Sequence, residues 1–319
     1  MNTEERNTPP KVELVEITEE HNDQRLDNFL ITRLKGVPKS RIYRIVRKGE
    51  VRVNKGRVDV NYRLISGDIV RIPPVRVAER TPESFISQSL KDWLQNSVLF
   101  EDEGFMVINK PAGYAVHGGS GINSGIIEGL RLIRPEARFL ELVHRLDKDT
   151  SGCLLIAKKR SALRLLHTLF REDQIHKTYL ALLVGQWTKQ EQWVNKPLQK
   201  NTAQGGERMV VISSTGKSAE TLFRRLKLFA HATLVEASPK TGRTHQIRVH
   251  AASLGHPIVG DERYGHDEAN KHFKTKGYKR MFLHAASLTF EHPVTGLPLT
   301  ITAPLPEQLD YLLSKETTT

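Results

Sequence analysis

Apolar residues near the start of the chain recur at the spacing of two short helices. Their positions fall three or four residues apart, which places each set on one helix face. The first set is Leu26, Phe29, Leu30 and Leu34, and after a break at 36–38 the second set is Ile42, Ile45 and Val46, ending at Gly49. Alternating apolar residues then predict one strand before the turn at Lys55–Gly56 and another after Ser66–Asp68. Two helices therefore precede a small sheet.

Beyond residue 97 the pattern changes to alternating strands and helices. A hairpin is predicted on either side of 101–104, with further strands at 153–158, 177–185, 232–238 and 282–290. Two helices follow the expected N-caps Ser161 and Thr244. The predicted fold class is α+β, with a small N-terminal unit and a larger unit built on a large mixed or antiparallel sheet.

The length of 319 residues is enough for about two domains, at roughly 150 residues each. Prolines and mixed polarity after residue 73 indicate a connecting segment. The expected division is a flexible N-terminus at 1–11, a first domain at 12–75, a linker at 76–96, a second domain at 97–307 and a tail at 308–319.

Composition narrows the class of protein. Hydrophobic residues make up 38% of the chain and charged residues 26%, which is typical of globular proteins with a core. The lone cysteine, Cys153, excludes an internal disulfide and any cysteine-rich zinc site. The first residues lack the pattern of a signal peptide, and no apolar run approaches the roughly 18 residues of a membrane span. We therefore expect a cytoplasmic protein without membrane contact.

Positive charge is concentrated near the N-terminus. Residues 25–80 hold 15 basic and five acidic side chains, which is ten of the twelve net positive charges of the chain. Basic residues on one helix flank and on a hairpin favour nucleic-acid binding over a merely solvated basic face. The candidate RNA-binding residues are Lys39, Arg41, Arg44, Arg47, Lys48, Arg52 and Lys55. The stretch from Arg25 to Ile72 resembles the S4 domain, a module that docks its basic helix against structured RNA.

Three polar stretches of the second domain carry candidate chemistry. HRLDKDTSG at 144–152 contains Asp147, which stands ahead of the turn residues and is not required by the turn. HKTYLAL contains Tyr179 within a strand, and TGRTHQIRVH contains Arg243 at a helix start. Taken singly, a turn aspartate, a packing tyrosine and an exposed arginine are the simpler interpretations. Together they can form a metal-free site, because a nearby guanidinium keeps a carboxylate ionised and therefore nucleophilic.

Four motifs in one order resemble the RluA-type pseudouridine synthases. They are NKPAG at 109–113, HRLDKDTSG, HKTYLAL and TGRTHQIR, behind an S4-like domain. The resemblance implies that Asp147 is the catalytic aspartate, Tyr179 the active-site tyrosine and Arg243 the basic partner of that aspartate. It further implies that Arg145 holds the RNA open, and that His144, Gln246 and Ile247 shape the pocket.

The function implied by this resemblance is the isomerisation of uridine to pseudouridine in large-subunit (23S) rRNA or its assembly precursor. The reaction consumes no phosphate and oxidises nothing, so we expect no metal and no cofactor. The target base must be turned out of its stack to react. We further expect a monomer.

Other classes of protein remain open on the residues alone. A non-catalytic rRNA-binding or ribosome-assembly protein also explains the basic domain. A metal-dependent hydrolase is disfavoured because His245 and His250 are five residues apart and no HExxH motif is present. A glycosidase needs a second carboxyl group, for which Asp149 is the only local candidate.

Overall fold

The structure is a computed structural model that describes residues 12–34, 36–75, 86–118, 125–202 and 208–317. The chain divides into two compact units between Glu83 and Ser84. The expected flexible terminus at 1–11 and residues 76–85 of the expected linker lie outside the described residues.

The N-terminal unit has the predicted order of two helices and a small sheet, with one additional strand at its start. Its elements are β1 (Glu13–Glu16), α1 (Leu26–Arg33), α2 (Lys39–Arg47), β2 (Arg52–Val53) and β3 (Ile69–Ile72). The strands form an antiparallel sheet in the order β1-β3-β2. The core contains Leu26, Leu30, Ile42 and Val70, all fully buried. The apolar face of each helix therefore supplies the core of this unit, as the spacing predicted.

The C-terminal unit combines six helices, a ten-stranded sheet and a separate hairpin among the described residues. Its helices are α3 (Gln88–Gln95), α4 (Ile126–Ile133), α5 (Arg160–Arg171), α6 (Gln246–Ser253), α7 (Asp267–Thr275) and α8 (Glu307–Lys315). Its strands are β4 (Val98–Glu101), β5 (Phe105–Lys110), β6 (Glu141–Leu142), β7 (Ser151–Ala157), β8 (His176–Val184), β9 (Glu191–Asn195), β10 (Leu198–Thr202), β11 (Arg208–Ile212), β12 (Glu220–Leu228), β13 (Ala232–Pro239), β14 (Leu283–Glu291) and β15 (Pro298–Thr302).

The large sheet is mixed, as predicted. Its order is β4-β5-β7-β14-β8-β13-β12-β9, with β6 also paired to β7 and β15 to β14, while β10 and β11 form the hairpin. Among these described strands the single parallel pairing joins β7 to β14, over Ser151↔His284 and Gly152↔Ala285. This short seam connects the two halves of the sheet. Gly152 has a φ of +109°, and a Cβ at this position would lie 2.2 Å from the carbonyl oxygen of Ala285.

Two segments expected to lie outside the second domain belong to its core. Ile86, Leu90 and Leu94 are buried, the last two on α3, so the part of the expected linker from Ile86 onward packs in this unit. The expected tail forms α8, whose Leu309 and Leu312 are buried. Both predictions were wrong because two buried positions on a helix of eight or nine residues give a weak sequence signal.

Both expected N-caps of the second domain are also displaced. Lys159, not Ser161, precedes the first residue of α5. His245, not Thr244, is the N-cap of α6, and it adopts a left-handed backbone with a φ of 54°. The second shift makes Arg248 the third residue of α6. No helix of the described ranges is long and apolar enough to cross a membrane.

Candidate active site

A cavity of about 100 Å³ opens in the C-terminal unit where β8, α6 and the loop before β7 meet. These three elements contribute the motif residues that the sequence singled out. The lining consists of Arg145, Leu146, Asp147, Thr150, Lys177, Tyr179, Pro239, Thr241, Gly242, Arg243, His245, Gln246, Ile247, Arg248 and Leu283.

The loop that carries Asp147 is held by a buried lysine. Lys110, at the end of β5, donates hydrogen bonds from Nζ to the carbonyl oxygens of Pro111, Lys148 and Thr150 at 2.7, 3.0 and 2.8 Å. These three acceptors match the three hydrogens of an ammonium group. Burial lowers the pKa of Lys110 to about 7, against the opposing effect of Asp149 and Asp147. Lys110 thus fixes the backbone on both sides of Asp149.

Asp147 meets two side chains from the start of α6. Its Oδ2 lies 3.4 Å from Nη1 of Arg248 and 3.8 Å from Nε2 of His245. The Asp147 side chain keeps 27% of its surface exposed, so the carboxylate is reachable from the cavity. Nη1 of Arg248 donates to Oδ2 of Asp147.

The guanidinium of Arg248 is oriented by a second carboxylate. Nε and Nη2 of Arg248 donate to the two carboxylate oxygens of Asp261 at 2.7 and 2.8 Å, which is the bidentate fork geometry. Burial raises the pKa of Asp261, but hydrogen bonds from Arg248 and from the Tyr264 and Arg263 backbone outweigh burial and lower it overall. With two of its nitrogens fixed in this way, Arg248 presents Nη1 towards Asp147.

Tyr179 lies in β8, directly beside β14. Ala285 of β14 pairs with Tyr179 on one side and with Gly152 on the other, so the seam sets the spacing between the tyrosine and the Asp147 loop. Burial raises the pKa of the Tyr179 phenol strongly, and the nearby Asp147 adds to this rise. Tyr179 is consequently a protonated phenol at neutral pH.

Arg243 does not form the ion pair predicted for it. It lines the cavity, but its Nε donates to the carbonyl oxygen of Ser218 at 3.0 Å. Within the described part of the chain, the ion pair of Asp147 is with Arg248, and the imidazole of His245 lies 3.8 Å from the same carboxylate oxygen. The guanidinium that meets Asp147 is instead that of Arg248, the third residue of α6.

Gln246 and Ile247 line the cavity as expected, with Gln246 in a supporting position. The Gln246 carboxamide accepts from Thr241 Oγ1 and Arg243 N at 2.7 and 3.0 Å. It donates to the carbonyl oxygen of Glu220 and to Oγ1 of Thr221. Since all these bonds are internal, Gln246 fixes the 241–243 turn at the rim of the cavity. The expected Arg145 is an exposed residue of the lining.

His144 was expected to shape the pocket, but its side chain is not part of the cavity lining. The ring stacks on Phe170 with centroids 5.0 Å apart, and Nε2 accepts from the Leu155 N–H at 3.1 Å. Burial lowers the pKa of His144 to about 4, so the ring is neutral and able to accept this bond. His144 instead ties the loop before β7 to β7 itself.

In the N-terminal unit, the candidate RNA-binding residues lie on α2 and on the adjoining β2 hairpin. Lys39, Arg44, Arg47, Lys48, Arg52 and Lys55 are exposed and Arg41 is half-buried. The buried side chains of α2 are Ile42, Ile45 and Val46, on the opposite flank. The unit thus presents a cationic face, as the helical spacing predicted.

The fold and this site define the class of protein. The family described as RNA pseudouridylate synthase matches residues 104–253, which include Asp147, Tyr179 and Arg248. The S4 domain family matches residues 24–70. Together with the relatives described next, these matches establish that the chain belongs to the RNA pseudouridylate synthases and carries an S4 domain at its N-terminus. The family and fold predicted from the motifs are confirmed.

Individual relatives resemble the chain over almost its full length. The ribosomal large subunit pseudouridine synthase C of Yersinia pestis is 58% identical over 306 residues, with 95% of each chain covered. The protein of the same name from Escherichia coli K12 is 56% identical, covering 96% of this chain and 97% of its own. Among solved structures, human RNA Pseudouridylate Synthase Domain Containing 1 is 27% identical with a TM-score of 0.60, covering 74% of this chain and 92% of that one.

Sequence reasoning missed four residues of the site, namely His245, Arg248, Asp261 and Tyr264. One signal was present for Arg248, since it stands between Ile247 and Val249 in a helix whose first six residues are all buried. A charged side chain in such a run needs a buried counterion. Asp261 lies 13 residues further along, where the pattern gave no indication of its partner.

Proposed function

We propose that this enzyme converts uridine to pseudouridine in large-subunit ribosomal RNA. The substrate is supported by the names of relatives that share well over half of its residues across its length. The chemistry is supported by one arrangement, in which Asp147, Tyr179 and Arg248 surround a single cavity. Ribosomal RNA as substrate supports a cytoplasmic location of the protein.

The reaction requires a carboxylate, a base-stacking group and a fixed cation. The N1–C1′ bond of uridine breaks, the uracil turns, C5 bonds to C1′, and a proton moves from C5 to N1. In our proposal Asp147 acts at the sugar while Arg248 holds the carboxylate in position. Among the described residues, the nitrogens of Arg248 and His245 approach Oδ2 of Asp147, and in our proposal Oδ1 is the oxygen that meets the substrate. Tyr179, as a neutral phenol, stacks on the uracil.

The S4 domain and the rim of the cavity bind the RNA in this proposal. The exposed lysines and arginines of α2 contact phosphates, which offsets part of the few kcal/mol needed to unstack the target nucleotide. Arg145 is exposed at the cavity, and in our proposal it holds the RNA open around the everted base.

The test is the substitution Asp147→Asn, assayed by tritium release from C5 of uridine in large-subunit rRNA. We expect the variant to bind RNA with unchanged affinity and to release no tritium, because an amide is neither a nucleophile nor a base. Asp149→Asn is the matched control, since Asp149 is exposed in the adjoining turn, and it should retain turnover. Normal tritium release by Asp147→Asn would refute the proposal.

A further inference from the structure

A chain of polar groups leads from the backbone of β11 to the catalytic carboxylate. The Val210 N–H donates to Oη of Tyr264 at 3.0 Å, and that oxygen lies 2.8 Å from Nδ1 of His245. On the far side of the same ring, Nε2 of His245 is 3.8 Å from Oδ2 of Asp147. His245 therefore stands between a phenol and the carboxylate that acts on the sugar.

The hydrogen count of this chain selects one tautomer of His245. The Val210 N–H can only donate, so it uses an acceptor site of the Tyr264 oxygen. The phenol then has one proton to give, and Nδ1 of His245 is the acceptor placed to receive it. This leaves the ring proton on Nε2, where it points towards the Asp147 carboxylate. In the other tautomer, two acceptors, Nε2 and Oδ2, would face each other.

We propose that His245 and Tyr264 are positioning residues for the isomerisation: Tyr264 fixes the imidazole as an Nε2–H donor, and His245 offers that donor to Oδ2 of Asp147. The inference rests on the proposed function of Asp147. At 3.8 Å the donor lies beyond hydrogen-bond length, and catalytic contacts of this kind commonly shorten when substrate binds. The shortened bond then helps hold Oδ2 while Oδ1 reacts.

The surroundings of His245 support a neutral ring in a fixed place. Burial lowers the pKa of His245, and Arg248 and Arg263 lower it further against the pull of Asp147. The left-handed backbone at His245, uncommon outside glycine, directs the side chain from the N-terminus of α6. Such strained positions persist where the surrounding structure holds them.

Tyr264 is itself fixed by the residue that orients Arg248. The Tyr264 N–H donates to Oδ1 of Asp261 at 3.0 Å, and the guanidinium of Arg248 lies 5.0 Å from the centre of the Tyr264 ring. Asp261 therefore sets both groups that approach Oδ2 of Asp147, directly for Arg248 and through Tyr264 for His245.

Replacing His245 by glutamine or by asparagine distinguishes the roles of its two ring nitrogens. His245→Gln carries an N–H near the position of Nε2, whereas His245→Asn reaches only as far as Nδ1. We expect His245→Asn to lower kcat at least about tenfold with KM for RNA unchanged, as for loss of a donor at a reacting centre. His245→Gln should keep kcat within about threefold of the wild type, because its donor persists.

A double-mutant cycle tests the role of Tyr264. Tyr264→Phe should lower kcat about tenfold in the wild-type chain and have no further effect on the His245→Gln chain, because glutamine has no tautomer to fix. Tyr278→Phe removes the hydroxyl of a buried tyrosine in another core cluster and controls for the substitution itself. Additive losses in kcat would mean that Tyr264 acts independently of His245, which would overturn its assigned role.

A direct measurement on the unmodified enzyme does not depend on the folding of any variant. ¹⁵N NMR of labelled histidines should show His245 with its proton on Nε2, and the opposite tautomer would overturn the inference. Wild-type kcat in a folded His245→Asn would do the same. Failure of the proposed function is distinguishable, because there the wild type would release no tritium or Asp147→Asn would remain active.

Discussion

The Arg248 guanidinium contacts two carboxylates, one that orients it and one that faces the cavity. Asp261 is fully buried and holds the fork of two nitrogens, while Asp147 is partly exposed and receives the third. A lysine in this position supplies a point charge that cannot keep both contacts. The site therefore depends on the planar, three-nitrogen geometry of the guanidinium as well as on its positive charge.

Arg248→Lys and Arg243→Lys should therefore differ sharply. We expect Arg248→Lys to lower kcat at least about a hundredfold, because Asp147 loses its fixed partner. Arg243→Lys should stay within about tenfold, since Arg243 donates to a backbone carbonyl at the cavity rim. Steady-state tritium release measures both. An inactive Arg243→Lys beside an active Arg248→Lys would restore Arg243 as the partner of Asp147.

The sequence predicted the positions of Asp147 and Tyr179 in the site but assigned the cation to the wrong arginine. Motif residues in a loop or a strand can be located without knowing a helix boundary. Arg243 precedes α6 with either start, and the motif alone does not show which of the two arginines, Arg243 or Arg248, turns towards the carboxylate. The start of α6 at Gln246 follows from the left-handed backbone of His245. The local sequence gives no signal for this backbone conformation.

Within the large sheet, the β7–β14 seam is the element that joins the catalytic loop to Tyr179. Its two strands approach closely at Gly152, where a side chain has no room. The sequence predicted both strands, and β7 is buried throughout. Burial alone does not say which strand lies alongside, and the partner in this case is about 130 residues away. For this reason the parallel pairing could not be predicted.

Gly152→Ala should destabilise the C-terminal unit by more than about 3 kcal/mol, because a Cβ would meet Ala285 at 2.2 Å in a left-handed backbone. Denaturant unfolding measures the change. Gly242→Ala is the matched control for stability, since a Cβ there meets nothing within 4 Å, and it should cost less than about 1 kcal/mol. Equal stability of the two variants would contradict a tight seam.

At the scale of the molecule, our proposal places the phosphate-binding face and the chemistry in two different units. The cationic face of α2 belongs to the first unit, and every residue of the cavity belongs to the second. Because each has its own hydrophobic core, charge can be removed from one without disturbing the other. The sequence predicted this division from the concentration of charge, and it missed only the short helices at the borders of the second unit.

Replacing Arg44, Arg47 and Lys48 together by Gln should raise KM for rRNA and leave kcat at saturating RNA unchanged. Each lost phosphate contact should also reduce the slope of log affinity against log salt by about 0.7 to 0.9. Filter binding across a salt series measures this slope.

The control for that experiment removes the same number of charges from the other unit. Lys271, Lys274 and Lys279 are exposed around α7 and do not line the cavity. Their replacement by Gln should leave the salt slope close to that of the wild type. Equal losses from both triple variants would indicate that net charge, and not the S4 face, governs binding.

The order of the elements along the chain has a consequence for synthesis on the ribosome. The S4 unit is complete by residue 75, whereas the cavity needs β14, which ends at residue 291. At translation rates of roughly 5 to 20 residues per second, the interval between the two is about 10 to 40 s. A nascent chain therefore gains its affinity for RNA well before it can modify a nucleotide, and a truncated product would occupy ribosomal RNA without altering it.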